Sequence, residues 1–236
     1  MHKSRAIRLS GLLCLVMLLV SACGKADGRA LARDSATDSS SSPASPASPG
    51  VPAIVFLGTS LTAGLGLDLD QAYPAVIQRK IDSLGLRYRV VNAGVSGESS
   101  AGALQRIDWV LREQPAVLVI ETGANDGLRG QDVDSIQANI QEIITRVRAR
   151  SPATRIVLVG MEALPNLGAE YARRFRAMYP ALARENHVAL VPFLLAGVAG
   201  VDTLNQPDGI HPTVEGQRMV AQNVWATLAP MLRGDT

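Results

Sequence analysis

Five short apolar runs, at 53–57, 88–91, 116–120, 156–160 and 188–191, are separated by longer segments whose apolar residues recur every three or four positions. No other feature limits the possible folds as much. The runs are rich in Val, Ile and Leu and show little alternation, as expected of strands covered on both faces of a parallel sheet. The intervening segments read as helices. Residues 73–84 carry Pro74 in the first turn, where its missing N–H costs nothing. Leu104, Ile107, Val110 and Leu111 form one stripe, Ile136, Ile140, Ile143 and Val147 a second, and Tyr171, Phe175, Met178 and Leu182 a third. Residues 214–232 read as a closing helix. Each stripe suits a helix laid on a sheet. Repeated strand–helix alternation predicts a single doubly wound α/β domain with right-handed crossovers.

That architecture has a direction. Ligands bind beyond the carboxyl ends of the strands, so chemistry is expected in the loops that follow them. Four such loops are unusual. "GTSLTAG" after the first strand holds Ser60, and "NAGVSGES" after the second holds Gly94. "ETGANDGLRG" after the third holds Gly123, Asn125 and Asp126. The long loop after the fifth ends in "QPDGIHPT", with Asp208 and His211.

A serine hydroxyl needs a neighbouring base to become a nucleophile, and an imidazole is the common one. The chain has three histidines. His2 belongs to a leader, and His187 lies between a helix and the last strand, at the amino edge of the sheet. Only His211 stands on the site edge. Its tautomer needs an acceptor on the other ring nitrogen, which Asp208, three residues earlier, can supply. Taken alone, "PDGIHP" reads equally well as turn chemistry capping the last helix. Acyl transfer also needs donors for an oxyanion. The backbone N–H groups of Ser60 and Gly94 and the side-chain amide of Asn125 are candidates, although Gly94 also fits a plain turn and Asn125 a helix cap.

"GTSLTAG", "NAGVSGE", "GANDGLRG" and "DGIHP", in that order, resemble the four blocks of the SGNH (GDSL-type) hydrolase superfamily. "GANDGLRG", "DGIHP" and "RRFRAMYPALARE" are similar more closely to its bacterial periplasmic thioesterase I/arylesterase/lysophospholipase group. The resemblance spans nearly all of residues 53–232. It implies a three-layer α/β/α sandwich with a five-stranded parallel sheet in flavodoxin-like order. It further implies a serine esterase of acyl esters and thioesters with Ser60, His211 and Asp208 as triad and Ser60, Gly94 and Asn125 as oxyanion hole. Leu61, Asn125, Met161, Leu164, Pro165 and Ile210 are expected to border the substrate, with Glu98, Asp126 and Arg129 stabilising the loops. No cofactor or metal is expected. Carbohydrate O-acetyl esterases of the cell envelope share this triad and fold, and stand as the alternative; an inactive binding lipoprotein is a third reading. The absence of a G-x-S-x-G elbow argues against the α/β-hydrolase type. One departure is plain: Thr59 stands where the motif usually has Asp, so a carboxylate that oriented the loop is missing.

The first 22 residues read as a secretory leader, with Lys3, Arg5 and Arg8 before an apolar stretch from Leu9 to Val20. It ends in "VSAC", which resembles a lipobox with Cys23 as the lipidated residue. Cys14 leaves with the leader, so neither a disulfide framework nor a thiol nucleophile is expected in the domain. Residues 23–52, rich in Ser, Ala and Pro, read as a flexible tether, and 53–236 as the hydrolase domain. By the sorting pattern that this resemblance implies, Gly24 after the cysteine favours the outer membrane, facing the periplasm. Lys and Arg total 23 against 21 Asp and Glu, and three of the basic residues belong to the leader. The domain is therefore near neutral, which argues against nucleic acid as a partner. A monomer is expected.

Overall fold

The computed structural model describes residues 50–234. The leader at 1–22, Cys23 and the tether as far as residue 49 lie outside the described residues.

Within them the chain alternates strand and helix as the apolar pattern predicts. The strands are β1 (Ala53–Gly58), β2 (Arg89–Gly94), β3 (Val117–Ile120), β4 (Arg155–Val159) and β5 (Ala189–Val191). The helices are α1 (Ser60–Ala63), α2 (Tyr73–Ser83), α3 (Ser100–Val110), α4 (Ala124–Leu128), α5 (Val133–Arg150), α6 (Ala169–Glu185) and α7 (Val214–Arg233). All strand pairs are parallel, in the order β2-β1-β3-β4-β5. This is the flavodoxin-like order, with its switch point between β1 and β3. Helices α2 and α7 pack together, while α5 joins α3 and α6 in a second helical layer.

Burial follows position in the sheet. Every residue of β1 and β3 is buried, whereas the edge strand β2 is only half-covered. The stripe Ile136, Ile140, Ile143 and Val147 is fully buried, as are Phe175, Met178 and Leu182. Each such side chain contributes about 1.5–3 kcal/mol by leaving water. The Tyr73 ring packs edge-on to Phe56 of β1, with centroids 5.5 Å apart.

One boundary differs from expectation and matters for the site. The apolar run of the second strand ends at Val91, yet β2 continues through Asn92 and Ala93 to Gly94, which is in register with Gly58. Backbone ladder bonds extend a strand without requiring an apolar side chain at its end. Gly94 therefore belongs to the sheet and not to the loop after it.

Candidate active site

The carboxyl ends of β1 and β3 meet at the switch point, and each turns directly into a short helix. Thr59 caps α1 in an extended conformation, its hydroxyl accepting the Leu61 N–H at 3.4 Å. Ser60 is consequently the first residue of α1 and 8% exposed. Its N–H, at the helix start, has no partner among the described residues.

His211 arrives from the other end of the chain. Ser60 Oγ lies 2.8 Å from His211 Nε2, and His211 Nδ1 lies 2.6 Å from Asp208 Oδ2. The second carboxylate oxygen of Asp208 accepts the N–H groups of Ile210 and His211, each at 3.0 Å. These bonds, led by that from the imidazole, hold the Asp208 carboxyl down to about 2. The loop is strapped in place by residues that sequence reasoning missed. Asn205 Nδ2 donates to the carbonyls of Val198 and Val201, and Gln206 Nε2 to those of Leu65 and Pro212. The Gln206 N–H donates to the His211 carbonyl at 2.7 Å. Gly209, at φ +74, makes the tight turn between acid and imidazole.

Asn125 sits in α4, just after Gly123 takes the left-handed φ of 98° that starts this helix from β3. Its Nδ2 donates one hydrogen to the Glu98 carbonyl at 2.9 Å and keeps a second, and the residue lines the cavity.

Gly94 does not join this group. Its N–H is taken by Asn92 Oδ1 at 2.9 Å, and it lines a separate cleft with Ala63, Leu69 and Pro74. A Cβ there would stand 2.4 Å from the Ala63 nitrogen, so glycine at 94 lets α1 pack on β2. Of the two glycines in "NAGVSGES", the one that lines the cavity with Ser60 and Asn125 is Gly97, at φ +79. Its N–H has no partner among the described residues, and its carbonyl accepts from Arg129 at 3.0 Å. The signal was present in "NAGVSGES", which holds both glycines; the true end of β2 separates them.

The loop-supporting residues divide the work. Arg106 donates to both oxygens of Glu98 and to the Ala93 carbonyl, while Asp126 accepts the N–H and O–H of Ser100. His187, at φ 48 just after the α6 cap, lies at the amino end of β5, away from the site.

Beneath Ser60 lies a residue to which the sequence had assigned no role. Glu121, directly after β3 and fully buried, accepts the Thr59 N–H at 2.7 Å and the hydroxyls of Thr59 and Thr62 at 3.0 and 2.8 Å. Burial pushes its carboxyl up to about 7 against these stabilising hydrogen bonds. The carboxylate that holds Thr59 thus comes from the end of the neighbouring strand.

A cavity of about 610 Å³ opens over Ser60 and His211. Leu61, Asn125, Met161, Leu164 and Ile210 line it, together with Leu65 and Leu128. Pro165 follows at the start of a 3-10 turn, Pro165–Leu167. This size and apolar lining suit an organic ligand of moderate length. Among the described residues no cluster of His, Cys, Asp and Glu could hold a metal ion.

Residues 56–219 match the model of the GDSL-like Lipase/Acylhydrolase family. The chain is 42% identical to Esterase TesA of Pseudomonas aeruginosa over 76% of its length and 89% of that relative. It is 33% identical to Thioesterase 1/protease 1/lysophospholipase L1 of Escherichia coli K12, over 78% of its length and 86% of that relative. The solved psychrotrophic esterase EstA from Pseudoalteromonas sp., inhibited by monoethylphosphonate, superposes with a TM-score of 0.72 at 30% identity, covering 77% of this chain and 98% of that one.

Proposed function

The chain belongs to the GDSL-like lipase/acylhydrolase family, and on that premise we propose that it is a carboxylic ester hydrolase cleaving acyl esters and thioesters through Ser60, His211 and Asp208. The observation that carries this reading is the continuous line of contacts from Ser60 Oγ to His211 Nε2 at 2.8 Å and from His211 Nδ1 to Asp208 Oδ2 at 2.6 Å. Asp208 accepts the Nδ1 proton, which leaves Nε2 as the acceptor facing the serine hydroxyl. As Oγ attacks the carbonyl carbon, its proton passes to Nε2. The oxyanion then meets the N–H groups of Ser60 and Gly97 and the second hydrogen of Asn125 Nδ2. His211 returns the proton to the leaving alkoxide or thiolate, and afterwards activates the water that releases the acid.

The apolar lining of the cavity favours acyl chains over acetyl groups alone, which sets this reading above a carbohydrate O-acetyl esterase. Ser60→Ala should abolish p-nitrophenyl ester turnover and fluorophosphonate labelling while the variant stays folded. Turnover retained by that variant sinks the assignment. Comparing acetyl with octanoyl esters distinguishes the two substrate classes.

The envelope location belongs to the same proposal. Residues 1–22 export the chain, and lipid on Cys23 holds a monomer to the outer membrane facing the periplasm, because two acyl chains anchor stably. Its support is the leader pattern and "VSAC". Fatty-acid labelling of cells should mark the protein and fail with Cys23→Ser.

A further inference from the structure

Glu121 does not line the cavity, yet it holds the residue before Ser60 by two bonds and reaches one two positions after it. Its Oε2 accepts the Thr59 N–H at 2.7 Å and the Thr62 hydroxyl at 2.8 Å, and the Thr59 hydroxyl lies 3.0 Å from both carboxylate oxygens. These hydrogen bonds stabilise its charged form.

Counting protons orders the cluster. Thr62 has one hydroxyl hydrogen; when Glu121 accepts it, the Tyr73 O–H, 2.8 Å from Thr62 Oγ1, must be the donor in that contact. The Thr59 hydroxyl hydrogen also goes to Glu121, so its lone pairs are free for the Leu61 N–H at 3.4 Å. Every donor is then satisfied, and Ser60 is held between two anchored neighbours. A proton on the carboxyl, or an amide in its place, adds a donor where the cluster presents donors and leaves one oxygen to accept what two accept now, which weakens the hold on Thr59 and Thr62.

Room for the cluster is also built in. A Cβ on Gly58 would stand 2.0 Å from Thr62 Oγ1 and 2.8 Å from Glu121 Oε2, so only glycine fits between β1 and this carboxylate.

Resting on the reading of Ser60 as nucleophile, we propose that Glu121 is the positioning residue of the nucleophile turn: through Thr59 and Thr62 its carboxylate sets where the Ser60 hydroxyl and N–H stand. It makes no contact with substrate. A carboxylate from the neighbouring strand, acting through a threonine, serves where an acid beside the serine would be expected.

The titratable groups facing Glu121 are Tyr73 from α2 and Tyr179 from α6, both pushed up by burial first and by the charge of Glu121 second. Asp126 of α4 acts on Tyr179 in turn. Both phenols stay neutral in the working range, so the pH response of the cluster is that of Glu121.

The test compares the unmodified chain with Glu121→Gln, Thr59→Ser and Thr59→Ala, from about pH 5 to 9, the range in which a Glu121 response differs from that of an ordinary carboxyl. Fluorophosphonate labelling of Ser60 and kcat and KM for p-nitrophenyl butyrate are the readouts, with melting as the fold check. Glu121→Gln should label about tenfold more slowly or worse, a loss set by misplaced donors and nucleophile, with KM within about twofold. Its acid limb should lack the Glu121 contribution. Thr59→Ser keeps the hydroxyl and should retain at least about half the rate, whereas Thr59→Ala should fall with Glu121→Gln. Labelling at the unmodified rate with an unchanged pH profile in both Glu121→Gln and Thr59→Ala overturns the inference. Should Glu121→Gln fail to fold, the two Thr59 variants decide alone. Absence of labelling in the unmodified chain is a different failure, since it removes the Ser60 reading itself and this inference with it.

Discussion

Asp208 holds the turn that carries His211 by three bonds: Oδ2 stands 2.6 Å from the ring Nδ1, and Oδ1 accepts the backbone N–H groups of Ile210 and His211. A carboxylate so engaged orients the ring and selects its tautomer at once. Asp208→Asn would preserve the shape but present an amide hydrogen to Nδ1, or an oxygen with weaker hold on its proton. Turnover should fall by about 10³–10⁴ at neutral pH with KM little changed, and steady-state kinetics across pH checks this. Because the Asp208 carboxyl is held at about 2, below its usual range, its favourable contribution is present above the unfolded value and is lost only as pH falls through about 2. Acid inactivation above that point should therefore belong to other groups.

Gly94 and Gly97 should fail differently. An added Cβ at 94 meets the Ala63 nitrogen at 2.4 Å, so Gly94→Ala should lower the melting temperature. Around Gly97 a Cβ meets nothing within 4 Å, but φ +79 disfavours any other residue by about 1 kcal/mol or more. Gly97→Ala should melt only a few degrees lower, as about 1 kcal/mol implies, while kcat drops about tenfold as its N–H shifts. The reverse pattern would return the oxyanion role to Gly94.

Leu65 is 45% exposed at the cavity rim, so the fold should tolerate Leu65→Asp. Losing apolar contact worth about 0.8 kcal/mol per methylene should cut octanoyl ester kcat/KM by about 3- to 10-fold and leave acetyl ester kcat/KM nearly intact. Equal losses for both esters would place the acyl chain elsewhere.

Stability should carry the mark of Glu121. Its folded-state value, raised to about 7, means that the folded protein binds a proton which the unfolded chain has already released. The protonated form favours folding below the unfolded value near 4.5, and that advantage disappears as pH rises through about 7. The change is on the order of 3 kcal/mol at most. Denaturant melts at pH 5 and pH 8 should show this decline in the unmodified protein and a flatter response in Glu121→Gln.

Most of the fold was legible because periodicity reports burial. The runs 53–57 and 116–120 are continuous apolar segments since β1 and β3 lie inside the sheet, and the stripe from Ile136 to Val147 is the buried face of α5. Strand ends were less legible. Asn92 to Gly94 carry no large apolar side chain, yet their backbone still pairs with β1, and that hidden extension moved the expected oxyanion glycine from the loop into the sheet. Among the substrate-side expectations, Leu61, Asn125, Met161, Leu164 and Ile210 do face one cavity.

The amino-acid sequence by itself determined which side chains exist to do chemistry and, through strand direction, the edge of the sheet on which they would gather. It determined this because apolar period and glycine placement act locally. Only the tertiary structure decided which of two glycines lines the cavity, and that a carboxylate 62 residues away holds Thr59. Those outcomes depend on register and on distances of about 3 Å between separate strands, which no local pattern encodes.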